Sequence, residues 1–303
     1  MRRVLSALVL LLAAVPALAQ DLSYTRKEDV VYSRKFGTAL TMDVFTPKKD
    51  LNGAGIIMCV SGGWHSSHDA INPKIFEEAL NRGYVVFAVV HGSTPRFTIP
   101  DVLQDMQRAT RYIRHHAKDY GVDPERLGIT GGSAGGHLSL MQGCTGRDGD
   151  AKAKDPVDRE SSRVAAVACF YPPTDFLNYG KEGENALGVG TLANFKAPFD
   201  FHDFDLKSRT FNRITDEERR IEIGKAISPV NHVTEKSPPT LIMHGDADKL
   251  VPIQQAERMI ERLKANKVPC ELVVKKDAGH GWPTIVEDTK LFADWFDKHL
   301  LKK

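Results

Sequence analysis

The sequence predicts an α/β protein: a mostly parallel sheet of eight strands, covered by helices on both faces. Two observations carry this. Short apolar runs at 56–60, 84–90, 126–130, 164–170, 240–244 and 271–276 alternate with helix-like stretches at about 73–82, 100–118, 134–144, 253–266 and 286–299. Strands apolar on both sides belong to parallel sheets buried beneath crossover helices. The second observation is Gly131-Gly-Ser-Ala-Gly-Gly136, which joins one such strand to the following helix in a tight turn.

The elements follow in order along the chain. Arg2 and Arg3, the apolar stretch Val4–Val15 and the small-x-small Ala17-Leu18-Ala19 before Gln20 form an export-signal pattern over residues 1–19. The apolar run falls short of the ~20 residues that span a bilayer, and Pro16 ends it. The expected product is a secreted or periplasmic domain of residues 20–303, with no membrane attachment after cleavage. Residues 28–34 and 39–46 alternate in hydrophobicity around Gly37 and read as an opening antiparallel pair. The six buried strands and their helices then follow without repeats or a Pro- or Ser-rich linker, which implies one core. The rhythm breaks at about 175–227, far longer than a usual strand-to-helix connection, and the segment reads as a cap insertion. It contains Phe195, Phe199, Phe201, His202, Phe204 and Phe211, of which most are expected to pin the segment and one or two to face a pocket. Residues 216–227 within it look helical.

Composition excludes several functions. Loss of residues 1–19 removes two arginines and no acid, leaving 39 basic and 39 acidic residues. A chain with zero net charge offers no general field for nucleic acid or anionic membrane. No phosphate-cradling glycine loop is present, and no cofactor is expected. Cys59, Cys144, Cys169 and Cys270 lack zinc-site spacing, and Cys59 and Cys169 sit in strand-like runs as small buried hydrophobes. Export permits a disulfide without choosing a pair. His65-Ser-Ser-His68-Asp69 has H-x-x-H spacing, but it follows glycines and precedes Pro73. It reads as a loop rimming the pocket, with no metal expected. Asp105 and Arg108 read as surface or bracing residues.

The chemistry is concentrated just past three strand ends. A serine hydroxyl needs exposure, orientation and a base, and the sharp turn at Gly131–Gly136 exposes Ser133 at a helix N-terminus. His244-Gly-Asp-Ala-Asp248 follows the run Pro239–Met243, and Asp277-Ala-Gly-His280-Gly-Trp282 follows Cys270–Lys276. The chain order Ser, Asp, His is that of α/β-hydrolases among serine-triad folds. His280 would take and return the Ser133 proton, and either Asp246 or Asp248 would orient the imidazole.

With Asp43-Val-Phe-Thr-Pro47, Gly62-Gly-Trp64, residues 123–136, His244–Pro252 and Gly279-His-Gly281 together, the chain resembles the α/β-hydrolase superfamily. Within it the chain looks like the esterase/lipase type, similar to the secreted acetyl- and feruloyl-esterase-like enzymes. The resemblance spans from about residue 28 to the C-terminus. It implies a serine carboxylic-ester hydrolase acting through an acyl-enzyme on small-molecule or polysaccharide esters, with Asp248 as the triad acid and Asp246 as a loop brace. Relatives carry His-Gly-Gly-Gly-Trp where this chain has Val60-Ser-Gly-Gly-Trp64. By position, Gly62, Gly63 and Ala134 would form the oxyanion hole, with Ser61 sharing the bracing of the lost histidine. Trp64 and Trp282 are expected as pocket walls for a sugar or aryl group, or else as packing. Two other readings share the scaffold: a serine peptidase of the prolyl-oligopeptidase type, and a non-catalytic binding protein.

Overall fold

A computed structural model describes residues 23–302. The export-signal pattern at 1–19 lies outside the described residues. The elements are β1 (Tyr24–Lys35), β2 (Thr38–Pro47), β3 (Gly55–Val60), α1 (Glu77–Asn81), β4 (Val85–Val90), α2 (Ile99–His115), β5 (Leu127–Gly132), α3 (Ala134–Thr145) and β6 (Ala166–Phe170). Then come β7 (His202–Asp205), β8 (Thr210–Arg213), α4 (Glu217–Ala226), β9 (Thr240–Gly245), α5 (Gln254–Ala265), β10 (Cys270–Lys275) and α6 (Ile285–Phe296). Eight strands form one sheet in the order β1-β2-β4-β3-β5-β6-β9-β10. β2 pairs antiparallel with both β1 and β4, and the remaining pairs are parallel. The expected fold class is therefore the observed one. β7 and β8, inside the insertion, form a separate hairpin that the apolar pattern did not mark.

Alternation along the strands builds two cores. Ile57, Phe87, Ile129, Val167 and Ile242 pack with α2, α3 and α5, while Ile56, Val86, Ala166, Leu241 and Met243 pack with α1 and α6. Successive side chains in a strand point to opposite faces, so neighbours such as Ile56 and Ile57 serve different layers. α2 shows how a sequence fixes such a layer. Thr98 and Asp101 form a capping box at its start, and Val102, Met106, Ala109 and Ile113 recur at helical spacing, all fully buried. Each of the larger three contributes ~1.5–3 kcal/mol through burial.

α3 is buried along most of its length, and the sheet and the insertion meet on it at His137. The Trp64 Nε1–H, which can only donate, lies 3.1 Å from His137 Nδ1. His137 Nε2 therefore carries the ring proton and donates to the Ile227 carbonyl at 2.7 Å. Burial pushes the His137 pKa down to about 4.

That depression sets a stability-versus-pH expectation. The unfolded chain protonates His137 near pH 6.5, whereas the folded chain resists until about pH 4. Across this window the unfolded state binds more protons, so this contribution is complete above pH 6.5 and is lost as the pH falls toward 4. The loss is on the order of 3 kcal/mol. Urea unfolding midpoints should drop over this range, and His137→Gln should start lower and fall less steeply. Parallel curves for the two proteins would remove His137 as the source.

Candidate active site

Ser133 sits between β5 and α3 with φ +53° and ψ −120°, outside the ordinary regions for a side-chain-bearing residue. The turn is held by backbone contact. A Cβ on Gly131 would lie 2.6 Å from the Gly135 backbone, and one on Gly135 would lie 2.7 Å from the Cys59 carbonyl oxygen. The Ser133 N–H donates to the Phe170 carbonyl at 3.0 Å, fixing the elbow to β6.

Two further loops close on this elbow from the ends of β9 and β10. They are joined to each other through backbone: the Ala247 N–H donates to the Ala278 carbonyl at 3.0 Å, and the Asp277 N–H donates to Asp246 Oδ1 at 2.6 Å. The Gly281 N–H donates to the Gly279 carbonyl at 2.9 Å, a three-residue turn with His280 at its apex. His280 Nδ1 lies 2.7 Å from Asp248 Oδ2, and Nε2 lies 2.9 Å from Ser133 Oγ. A carboxylate only accepts, so Nδ1 carries the hydrogen and Nε2 is free to accept the serine hydroxyl proton. Asp248 Oδ1 also accepts the N–H groups of Leu250 and Val251, each at 2.9 Å, and His244 Nε2 stands 3.5 Å from Oδ2. Burial alone would raise the Asp248 carboxyl. The nearby His244 ring, whose Nε2–H donates to the Val251 carbonyl at 2.7 Å, and the hydrogen bonds from His280 and the Val251 N–H outweigh it and hold the group well below the usual carboxylate range. Asp248, not Asp246, is thus the acid in contact with His280.

The loop after β3 corrects two expectations. Gly62 and His65 exchange backbone hydrogen bonds at 3.0 and 2.9 Å, and Gly63 and Trp64 have φ of +56° and +60°. Both central residues at positive φ make a type I′ turn. The Gly62 N–H, expected to donate to an oxyanion, is therefore already taken by the His65 carbonyl. Gly63 and Ala134, the first residue of α3, remain as the assigned backbone donors. Trp64 is not a pocket wall. It is 1% exposed, bonded to His137 and surrounded by Phe176, Phe199 and Phe195. Its burial holds a bulky residue at positive φ, where isolated backbone would rarely place it.

A cavity of about 500 Å³ opens at Ser133 and His280. Its walls are mainly apolar, with Met58, Ile75, Phe195, Leu250 and Ile285 among them. Phe195 is the insertion aromatic that reaches it, and its ring lies against Gly63 so closely that a Cβ there would stand 2.6 Å away. Phe199 and Phe201 are buried, whereas Phe204 and Phe211 pack on Phe36 at the β1–β2 turn. Tyr171, unassigned from sequence, lines the cavity and packs on His280 with ring centroids 4.4 Å apart and the planes tilted by 51°. Trp282, expected as a wall, stands one layer behind: it packs edge-on against Phe170 and Tyr171 and donates to Asp288.

His65 and His68 do not share a ligand cluster among the described residues. His68 instead meets Asp29 and Asp43, whose ligand atoms with its own lie within 4.8 Å of one another. Arg26 already supplies Asp43 with a cation, its Nη2 standing 2.5 Å from Oδ2. His68 Nε2 is bonded to Thr41 Oγ1 at 2.7 Å, so this cluster braces β1 against β2. All four cysteines are unpaired. No helix among the described residues is long and apolar enough to cross a membrane.

Comparison with known proteins agrees with this architecture. The chain is 28% identical over 245 residues to the probable carboxylic ester hydrolase LipM of Mycobacterium tuberculosis, covering 80% of this chain and 52% of that protein. It is 27% identical over 264 residues to the esterase LipC of the same organism, covering 86% and 60% respectively. The chain thus spans about half the length of these relatives. Among solved structures, a truncated carbohydrate esterase from gut microbiota superposes with TM-score 0.73 at 25% identity, covering 93% of this chain and 99% of that one. Esterase 2 of Thermogutta terrifontis superposes with TM-score 0.66 at 26% identity, covering 91% and 92%. The BD-FAE family model matches residues 42–263, and the chain belongs to that family, with the α/β-hydrolase fold.

Proposed function

We propose that this chain is a serine carboxylic-ester hydrolase whose nucleophile, base and acid are Ser133, His280 and Asp248. The observation that carries the reading is the unbroken hydrogen-bonded run from Asp248 Oδ2 through His280 to Ser133 Oγ, at 2.7 and 2.9 Å, beside a cavity. Ser133 Oγ attacks the ester carbonyl carbon as its proton passes to His280 Nε2, and Gly63 and Ala134 donate N–H groups to the resulting oxyanion. When the tetrahedral adduct collapses, the C–O bond to the alcohol breaks and His280 returns the proton to the departing oxygen. Water then attacks the acyl-serine with His280 as base, releasing the acid and restoring Ser133.

Likeness to a carbohydrate esterase, together with the export-signal pattern at 1–19, supports acyl groups on polysaccharides as the substrate class, met outside the cytoplasm. In this reading residues 175–227 are a cap that places Phe195 in the cavity wall. Assay on p-nitrophenyl acyl esters, acetylated xylan and peptide anilides tests the class. Turnover of anilides with none of esters would favour the peptidase reading.

Ser133→Ala should lose activity on the order of a million-fold while keeping the thermal midpoint of the native protein. A variant with a tenth of normal turnover would remove Ser133 from the chemistry. Asp248→Asn should lower kcat by about four orders of magnitude, because asparagine favours the wrong imidazole tautomer. Asp246→Asn should cost far less in kcat and act chiefly on stability, since its carboxylate holds the Asp277 N–H. The reverse ranking would exchange their roles. Phe195→Ala should reduce kcat/KM for a long-chain or aryl acyl ester by about tenfold and leave p-nitrophenyl acetate within about threefold, since remote contacts serve only large substrates. Equal losses on both would mean that Phe195 supports the oxyanion loop instead of selecting the substrate.

A further inference from the structure

His91, just past the end of β4, takes no part in the mechanism above, yet it is 3% exposed and points at the oxyanion loop. Its Nδ1 lies 2.7 Å from the Gly92 carbonyl oxygen. That oxygen only accepts, so Nδ1 carries the ring proton and Nε2 is left as an acceptor. Ser61 Oγ stands 2.9 Å from Nε2 and therefore donates its hydrogen to it. Ser61 lines the catalytic cavity immediately before the Gly62–His65 turn. The far end of the same loop is tied to the same place. Ser66 Oγ donates to the Val60 carbonyl at 2.5 Å and accepts the His91 N–H at 3.3 Å, while the Ser66 N–H donates to Ser93 Oγ at 2.8 Å. The 91–93 segment is in turn anchored on α2, where buried Asp105 accepts the Gly92 N–H at 2.9 Å and is paired with Lys35 at 2.5 Å.

We infer that His91 is a positioning residue that sets the Gly63 donor through the Ser61 hydroxyl, an inference that rests on the ester-hydrolase reading. The arrangement has the outline of a second serine–histidine pair, but His91 does not act as a base. Burial pushes its pKa down to about 4, so it does not hold a proton taken from a nucleophile at neutral pH. A neutral imidazole with one fixed tautomer is instead a rigid acceptor. From just past the end of β4 it braces the loop at Ser61. Backbone donors act on an oxyanion only when preset at hydrogen-bond distance, so loosening Ser61 should affect the transition state more than the bound ester.

The test compares Ser61→Ala, Ser61→Thr, His91→Phe and the Ser61→Ala/His91→Phe double variant in the full protein. The readouts are kcat and KM on p-nitrophenyl acetate, thermal midpoint, and the Gly62 and Gly63 amide signals by NMR. Ser61→Ala should lower kcat about tenfold or more with KM within twofold, and Ser61→Thr, which keeps the hydroxyl, should recover most of it. The double variant should lose no more kcat than His91→Phe alone, because both changes remove one shared bond. If His91→Phe does not fold, the alanine–threonine pair still decides. Normal kcat in Ser61→Ala, or independent multiplying losses in the double variant, would overturn the inference. A wild-type protein that hydrolyses no ester would instead defeat the underlying reading. In that event the amide signals judge the brace: shifts in Ser61→Ala that threonine reverses support it, and unshifted signals refute it.

Discussion

The site depends on one close contact between backbones, where α3 lies against the ends of β5 and β3. Gly131, Gly135 and Gly136 have no room for a Cβ: the nearest backbone atoms would stand 2.6, 2.7 and 2.8 Å from it. Without side chains there, the first turn of α3 presses into the sheet, and the chain must reverse sharply at Ser133. That reversal costs about 1–3 kcal/mol as an isolated conformation, which the packed surroundings offset. It raises the serine side chain above the sheet and points the N-terminal N–H groups of α3 into the same space. The elbow and the placement of the α3 N-terminus thus share a single steric cause.

The Gly62–His65 loop is braced from two sides. Its type I′ turn carries tryptophan at a positive φ, and two buried, neutral histidines flank it, His137 on Trp64 and His91 on Ser61. Both rings have each nitrogen paired, one as donor and one as acceptor. That pairing is what makes burial of an imidazole tolerable, since an unpaired buried nitrogen would forfeit its hydration for nothing in return. Each histidine also reaches beyond the loop: His137 to the end of the insertion at Ile227, His91 to Asp105 on α2 by way of Gly92. The turn is thereby referenced to rigid elements on two sides.

The eight sheet strands and the helices between them were legible because each carries its own periodicity, and the meeting of Ser133, Asp248 and His280 because each follows a strand in a recognisable motif. What escaped depends on contacts between distant segments. The β7–β8 hairpin is nearly all exposed or half-exposed and is held by Phe204 and Phe211 on Phe36, a partner more than 160 residues away. Trp64 beside two glycines reads equally as a pocket wall or as packing, and only the Phe176–Phe199 cluster of the insertion decides for packing. The Gly62 N–H looks free in sequence, because a four-residue turn is invisible until Trp64 is buried. Tyr171 could have been suspected from Tyr-Pro-Pro at a strand end, but its packing on His280 requires knowing that β6 lies between β5 and β9.

Charge is distributed so that one proton can move and another cannot. Asp248 is hydrogen-bonded by His280 and by two backbone N–H groups, with the His244 ring 3.5 Å away. A carboxylate so well bonded is a poor proton acceptor, and it stays ionised while the imidazole beside it changes state. In the proposed mechanism that fixed charge, acting through His280 Nδ1, would favour the imidazolium formed when Ser133 gives up its proton. The other side of the ring is covered by Tyr171, whose buried phenol is pushed up to about 12 and stays neutral. It adds surface without adding a competing anion. In the proposed mechanism the imidazolium would form between that carboxylate and a neutral aromatic ring, with His280 Nε2 already directed at Ser133 Oγ.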